Sequence, residues 1–553
     1  MFIKKKYEYP LYIAFIWHMH QPWYLDGDIA IFPWVRVHSL KDYLDMVSIL
    51  DNFPNIKQTF NLVPSLIEQI KLISEKKASD IYWEISKKPS IELSVKDKKF
   101  IIKWMCPPHY IKRISNFKSY KKLLIKVENL KRSLGNTSSV INKLTDQEYR
   151  DLQLCYDLSW FDPVYMKNNR FLNALVQKGE FYTEDEKSKL YDEQLKIIEK
   201  IIPKFKQMKE ERRIELICSP YYHPILPLLC DNKVAIEANP NSKVPHNNYS
   251  FPQDARTQME MGLEFHKSIF GSKPNGVWLP EMAISNEALR ILMNFEIFWT
   301  ITDQHILSKT INEDLSLGSD KVVKNPHLLY KPYTYTSGNN SINLIFRDQI
   351  LSDLIGFVYN NMTWEHAIND LMDRLERIYF SISSDKEPYL VTIAMDGENC
   401  WEYYENDGVE FISNLYKVLG ENSQFRLVSV SEYLSMYPPV KKINSIKPGS
   451  WVRSDFTNWI GGDGQNQAWD YLYKTRIDVK RVINSVIEKD TINKIFKRIY
   501  IAEGSDWFWW FGDNEKSGMD ELWEGRFREH LLEIYKILEI SPPDELKSPI
   551  KII

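Results

Sequence analysis

Cysteine is scarce in this sequence. Five residues in 553 (Cys106, Cys155, Cys218, Cys230 and Cys400) lie scattered, and no two form a C-x-x-C pair. An odd, dispersed set argues against a disulfide framework and fits a reducing compartment. An excess of one charge is missing too: 71 Lys and Arg stand against 74 Asp and Glu, for a formal net charge of −3. Such a balance gives no reason to expect a nucleic-acid or anionic-membrane partner. No apolar run is long enough to span a bilayer. The opening MFIKKKYEYPLYIAFIWHMH pairs a basic patch with an apolar run, but the run is short and lacks a small-residue cleavage site. The expectation is a soluble cytoplasmic protein. What the chain does have is length beyond a single core, which predicts two or three structural units. It also has 17 tryptophans and 31 tyrosines, which suit carbohydrate or aromatic ligands as well as core packing.

The chain is organised around residues 389–404, YLVTIAMDGENCWEYY. The β-branched run 390–395 reads as a fully buried strand that stops at Asp396, with Glu398 two positions on and Trp401 close behind. Carboxylates at the end of a buried strand, beside an aromatic ring, suit acid–base chemistry on a sugar. Low-dielectric surroundings can keep one of them protonated near neutral pH, and the ring can stack on a pyranose face.

The rest of the chain repeats that arrangement. Residues 12–17 form a buried strand ending in HMHQPWY, where His18 and His20 point the same way and Gln21, Trp23 and Tyr24 extend a polar-aromatic cluster. Two imidazoles on one side can hold a metal or donate to sugar hydroxyls; with no matching Asp or Cys nearby, ligand binding is favoured. Further strands are predicted near 56, 214, 277, 297, 342 and 390. His223 follows the third in SPYYHP, and Glu281 follows the fourth in GVWLPEM behind Trp278. Seven strands, most followed by helical spacing and most with polar groups past the carboxyl end, predict a parallel β/α barrel with its site at those ends. An open doubly wound sheet gives a similar pattern. Residues 425–430 read as an eighth strand or an edge extension. Residues 71–211 are Lys- and Glu-rich with helical spacing and predict a long helical insertion. After about 440 the chain turns to a Gly- and Trp-rich loop containing Trp459, then to helices near 468–489, 490–503 and 520–538. Between the last two, Asp506 is flanked by Trp507, Trp509 and Trp510, a candidate sugar-facing wall.

Five of these motifs, HMHQP, SPYYHP, GVWLPEM, DGENCWEYY and NWIGGDGQNQAWDYLYKTR, closely resemble in order and content the conserved regions of glycoside hydrolase family 57, nearest its amylopullulanase-like branch. The resemblance runs from His18 to about Gly512. It implies an α/β fold: an incomplete (β/α)7 barrel over 1–440 that includes the insertion, with a C-terminal helical domain over 441–553 packed on its mouth. It implies retaining hydrolysis of α-glucosidic bonds in α-1,4-glucans, with Glu281 as nucleophile and Asp396 as general acid and then base. A retaining pair stands roughly 5–5.5 Å apart. His18, His20 and His223 would hydrogen-bond sugar hydroxyls. Trp278, Trp401 and Trp459 would be stacking platforms, and Glu398 would orient Asp396 or bind a hydroxyl. Gln21, Asp506 and Trp507 complete the expected binding set. No metal and no cofactor are expected; the expected partner is an α-glucan oligo- or polysaccharide.

Three other readings compete. Family members also transfer glucan chains, as 4-α-glucanotransferases or branching enzymes, through the same glycosyl-enzyme. A metal-dependent polysaccharide deacetylase or α-mannosidase would use the His18–His20 pair. A non-catalytic carbohydrate-binding protein would keep the cleft without turnover.

Overall fold

The computed structural model describes residues 8–106, 114, 117–398, 400–483, 488–513 and 515–550. Parallel strands carry its centre: β1 (Leu11–Met19), β2 (Gln58–Leu62), β3 (Ile214–Ile217), β4 (Gly276–Val277), β5 (Trp299–Asp303), β6 (Asn340–Arg347) and β7 (Tyr389–Asp396). These are the strands that the alternation predicts. The fold is α/β, and the strands fall into two mainly parallel sheets. One runs β7-β1-β2-β3. The other runs β4-β5-β6, with Tyr333–Ser337 antiparallel to β6 and Lys441–Ile443 beyond it.

β1 explains why the sheets are buried on both sides. All nine of its residues are buried, as a continuous apolar run requires. Its odd-numbered side chains, from Leu11 to Met19, join the large core under the helices. Tyr12, Ala14 and Ile16 point the other way, into a second cluster with Ile217, Trp299, Ile301, Ile345, Leu390 and Ala394. That second cluster draws on both sheets. Contacts join the sheets along both edges, among them a bridge that pairs Cys218 with Val277 and the Asp348 N–H donating to Thr392 O at 2.8 Å.

β4, the strand predicted near 277, spans only Gly276–Val277. Pairing stops because Pro280 follows and Glu281 then turns into the left-handed region at φ 57°. Gly276 is required there, since a Cβ at that position would lie 2.2 Å from the Trp299 indole. Residues 425–430 prove to be an edge extension. Phe425–Leu427 pairs in parallel with Leu11–Ile13, below the point where β2 meets β1.

Between Pro64 and Glu210 the described residues are mainly helical, as expected, and the long helix Glu184–Glu210 buries Ile198, Ile201, Phe205 and Met208. Arg36, on the helix Trp34–Lys41 that follows β1, ties this region to that helix. Its guanidinium has no exposed side-chain surface and donates to Asp80 at 2.6 Å, to Asp157 at 2.9 Å and to Gln194 at 3.1 Å. Removing one partner of a buried ionic network leaves uncompensated charge. Arg36→Ala is therefore expected to cost about 3–5 kcal/mol, read as a lowered urea midpoint; an unchanged midpoint would contradict the network's role.

The C-terminal helices are Asp463–Val482, Lys489–Ala502, Ser505–Trp510 and Asp520–Ile537. The expected helix 468–489 crosses residues 484–487, which lie outside the described residues. The segment before Ser505 is pinned to the sheet ends. Glu503, fully buried, accepts from Tyr249 Oη at 2.6 Å and Gln258 Nε2 at 2.7 Å, and the Ser505 N–H donates to His223 O at 3.0 Å. This docking delivers Asp506 to the mouth of the strands. None of the described helices is long and apolar enough to cross a membrane.

Candidate active site

The carboxyl ends of β1, β6 and β7, the turn after β4 and the helix Ser505–Trp510 surround a cavity of about 1020 Å³. Strand register accounts for much of its floor. His18 is level with Asp396 on one side and with Asn61 on the other, and cross-strand partners share a face. Two residues further, His20 and Glu398 face the same mouth, and the His20 N–H donates to Glu398 Oε1 at 3.0 Å. Glu281 enters from the turn after β4. Its left-handed backbone is of the strained kind that persists only where surrounding contacts fix it.

The contact that fixes it is Trp451. Its backbone N–H donates to Glu281 O at 3.2 Å, and its indole Nε1–H donates to Glu281 Oε2 at 2.8 Å. The Arg347 guanidinium lies 4.8 Å from the Trp451 ring and is itself held by Asp303 at 2.7 Å. Burial first, and Asp396's negative charge second, raise Glu281 to about 8, while the Trp451 N–H pulls the other way. Burial, reinforced by the neighbouring charge, thus holds a proton on Glu281 up to about pH 8. Trp451→Phe keeps a ring but removes the donor that favours the carboxylate. The alkaline limb of kcat/KM is expected near pH 8 and should move to higher pH in this variant. A limb that stays put would exclude Trp451 from the electrostatics of Glu281.

A second group stands beside the pair. His20 Nε2 lies 3.0 Å from Asp506 Oδ2, and its ring stacks on His223 at 3.8 Å and 19°. His223 is fully buried beneath it, left-handed at φ 58°, with Nδ1 2.9 Å from Ser505 Oγ. Burial and the neighbouring imidazoles lower the His18 and His223 pKa values, which keeps both rings neutral. Donor atoms of His20, His223 and Asp506 lie within 4.8 Å of one another, the cluster that could hold a metal among the described residues. The two rings stack with their centroids 3.8 Å apart and tilted by 19°, and His20 Nε2 already has the Asp506 carboxylate as its partner. The same polar groups suit sugar hydroxyls without rearrangement.

The expected residues divide into those that reach the cavity and those behind it. Glu281, Asp396, His18, His20, Gln21, Glu398 and Asp506 line it, whereas Trp459 borders it but is fully buried and offers no open face for stacking. Glu398 is buried and takes Gln21 Nε2 and Tyr43 Oη, each at 3.2 Å; burial, then Asp396's charge, raise its pKa well above the ordinary range. Its neighbour Asn399 lies outside the described residues. His223 and Trp278 form a layer behind the wall, and Trp278 stacks on His18 at 4.7 Å. Trp401 is buried, donating to Gly397 O at 2.7 Å. Trp507 is buried, donating to Ile501 O at 2.7 Å, while Trp509 and Trp510 of the same helix face the cavity. Trp451, Arg347 and Phe357 are lining residues outside the five motifs, and Tyr403 lines the cavity from within DGENCWEYY although the sequence reading assigns it no role.

A family model described as Glycosyl hydrolase family 57 matches residues 14–445. Among solved structures, a GH57 branching enzyme from Thermococcus kodakaraensis aligns with a TM-score of 0.60 at 15% identity, covering 95% of this chain and 90% of its own. The novel α-amylase AmyC from Thermotoga maritima aligns at 0.58 and 13% identity, covering 98% of this chain and 96% of its own. A GH57-type branching enzyme from Pyrococcus horikoshii aligns at 0.56 and 14% identity, covering 98% and 99%. At these identities the likeness is one of fold. No curated protein matches the chain.

Proposed function

The chain belongs to glycosyl hydrolase family 57, and from that membership and the paired carboxylates we propose that it is a retaining enzyme acting on α-1,4-glucans, chiefly by hydrolysis. The observation that carries the reading is the Glu281–Asp396 pair: two acids from different strand ends that face one cavity, with burial and the neighbouring charge holding a proton on Glu281. In the first step Glu281 attacks the anomeric carbon as the glycosidic bond breaks, and Asp396 passes its proton to the departing oxygen. In the second, Asp396 takes a proton from water as the water oxygen attacks the same carbon and frees Glu281. The resting proton, which burial favours on Glu281, must first reach Asp396. The Trp451 N–H assists by stabilising the ionised nucleophile.

Gln21, His20, Glu398 and Asp506 supply hydrogen bonds to sugar hydroxyls, His18 bounds the floor, and Trp509 and Trp510 supply apolar wall, with Trp459 buried behind them. His223, Trp278, Trp401 and Trp507 act from behind by fixing these groups. The reading takes the two sheets as one incomplete (β/α)7 barrel over 1–440, supported by the Cys218–Val277 bridge and the Asp348–Thr392 hydrogen bond. It takes 441–553 as a helical unit and the cytoplasm as the compartment.

Incubation with amylose, pullulan and glycogen in the presence of EDTA, followed by product sizing and anomer analysis, tests the proposal. Short sugars first released as the α-anomer are expected. Lengthened or branched chains would shift the assignment to transfer, and activity lost to the chelator would shift it to metal-dependent chemistry.

A further inference from the structure

Two aromatic side chains at the cavity rim are exposed in a way that packing does not explain. Phe357 is 73% exposed and Tyr403 is 53% exposed, yet both line the cavity that holds the carboxylate pair. Phe357 rides on a single π-helical turn, Leu354–Val358, a rare geometry that is frequent at functional sites. The next turn, Tyr359–Asn361, packs against the turn Trp401–Tyr403. The two are laced together beneath the surface: Tyr404 Oη donates to Ile355 O at 2.6 Å. The buried Tyr404 ring meets Phe411 at 5.2 Å and Trp401 at 5.4 Å. The exposed rings therefore stand on a braced backbone.

Their place relative to the chemistry is also fixed. A Cβ on Gly356 would lie 3.4 Å from Met395 Cε, so the π-turn sits beside the residue before Asp396, and Tyr403 follows Asp396 in the same loop. An acid/base must stand next to the oxygen that leaves and the oxygen that arrives. Groups flanking Asp396 consequently face the part of the substrate beyond the scissile bond.

We propose that Phe357 and Tyr403 form a braced aromatic rim that binds the α-glucan segment on the Asp396 side, holding the departing chain in the first step and an accepting chain in the second. This rests on the retaining reading above. With a chain held there, the glycosyl-enzyme ester is attacked by a sugar hydroxyl, whose proton passes to Asp396 as the new C–O bond forms and the Glu281 carboxylate leaves. The rim thus raises transfer relative to hydrolysis.

The test uses α-maltosyl fluoride, whose leaving group does not occupy the rim, with maltotriose as acceptor. Fluoride release without acceptor reads the carboxylate pair alone. The ratio of transfer product to free maltose reads the rim, and it is independent of how much enzyme is folded because each intermediate partitions individually. The Phe357→Ala/Tyr403→Ala double variant is expected to lower that ratio about 5- to 10-fold, while Phe357→Tyr retains it. A wild-type enzyme that releases no fluoride would overturn the catalytic reading. Fluoride release with a ratio unchanged in the double variant, or without any acceptor dependence in the wild type, would overturn the rim and leave the catalytic reading standing.

Discussion

Glu281→Gln is expected to lower turnover of amylose by at least about 10⁴-fold while leaving glucan binding in place. The amide matches the carboxylate in shape and can still accept from Trp451 Nε1, so the left-handed turn and the docking of residue 451 survive. What is lost is the carboxylate that the proposed mechanism uses to bond to the anomeric carbon. The smaller Glu281→Ala leaves space for azide, which then attacks from the face that the carboxylate used. With α-maltosyl fluoride it should yield β-maltosyl azide, the product of a single displacement. An α-azide, or undiminished turnover in Glu281→Gln, would remove Glu281 from the nucleophile's role.

These residues are legible in the sequence because parallel strands advertise their ends. A run buried on both faces must stop where polar chemistry begins, and period-two alternation then puts His18, His20, Asp396 and Glu398 on one side. The tryptophans were less legible. In the helix Ser505–Trp510, Asp506 faces the cavity, and the residues sharing its face are three and four positions on, Trp509 and Trp510. Trp507 is only one position on and turns into the packing with Trp523 and Phe527. That spacing could have been read from sequence. Trp278 and Trp401 stand close to the catalytic motifs, yet they serve as backing for His18 and for the loop after β7. Trp451 had no local signal. Its partner Glu281 is distant in the chain, and the loop that brings it lies outside any periodic element. Phe357 was hidden for a related reason, since a π-turn breaks the spacing from which a helix face is inferred.

Asp396→Asn is the second large effect, and its size should depend on the leaving group. A sugar alkoxide departs poorly without a proton, so amylose cleavage should fall by about 10²–10⁴-fold, the range that general acid–base catalysis supplies. Fluoride needs no proton, so ester formation from α-maltosyl fluoride should be much less affected. Loss of the base then slows the second step, and the ester accumulates as an initial burst. Azide, which needs no base, should intercept it from the opposite face and give α-maltosyl azide, the mirror outcome to Glu281→Ala. The pH profile should change form as well. In the wild type the active pair carries one proton, which it loses near pH 8. Without Asp396 there is no acid to deprotonate, so the alkaline limb should vanish. The negative charge that raises Glu281 is also gone, so its own pKa should fall below about 8. Fluoride release by the variant should therefore rise with pH to a plateau reached at lower pH than the wild-type limb. A bell that persists unchanged would mean that another group holds the proton, and the buried, proton-retaining Glu398 would be the next to replace.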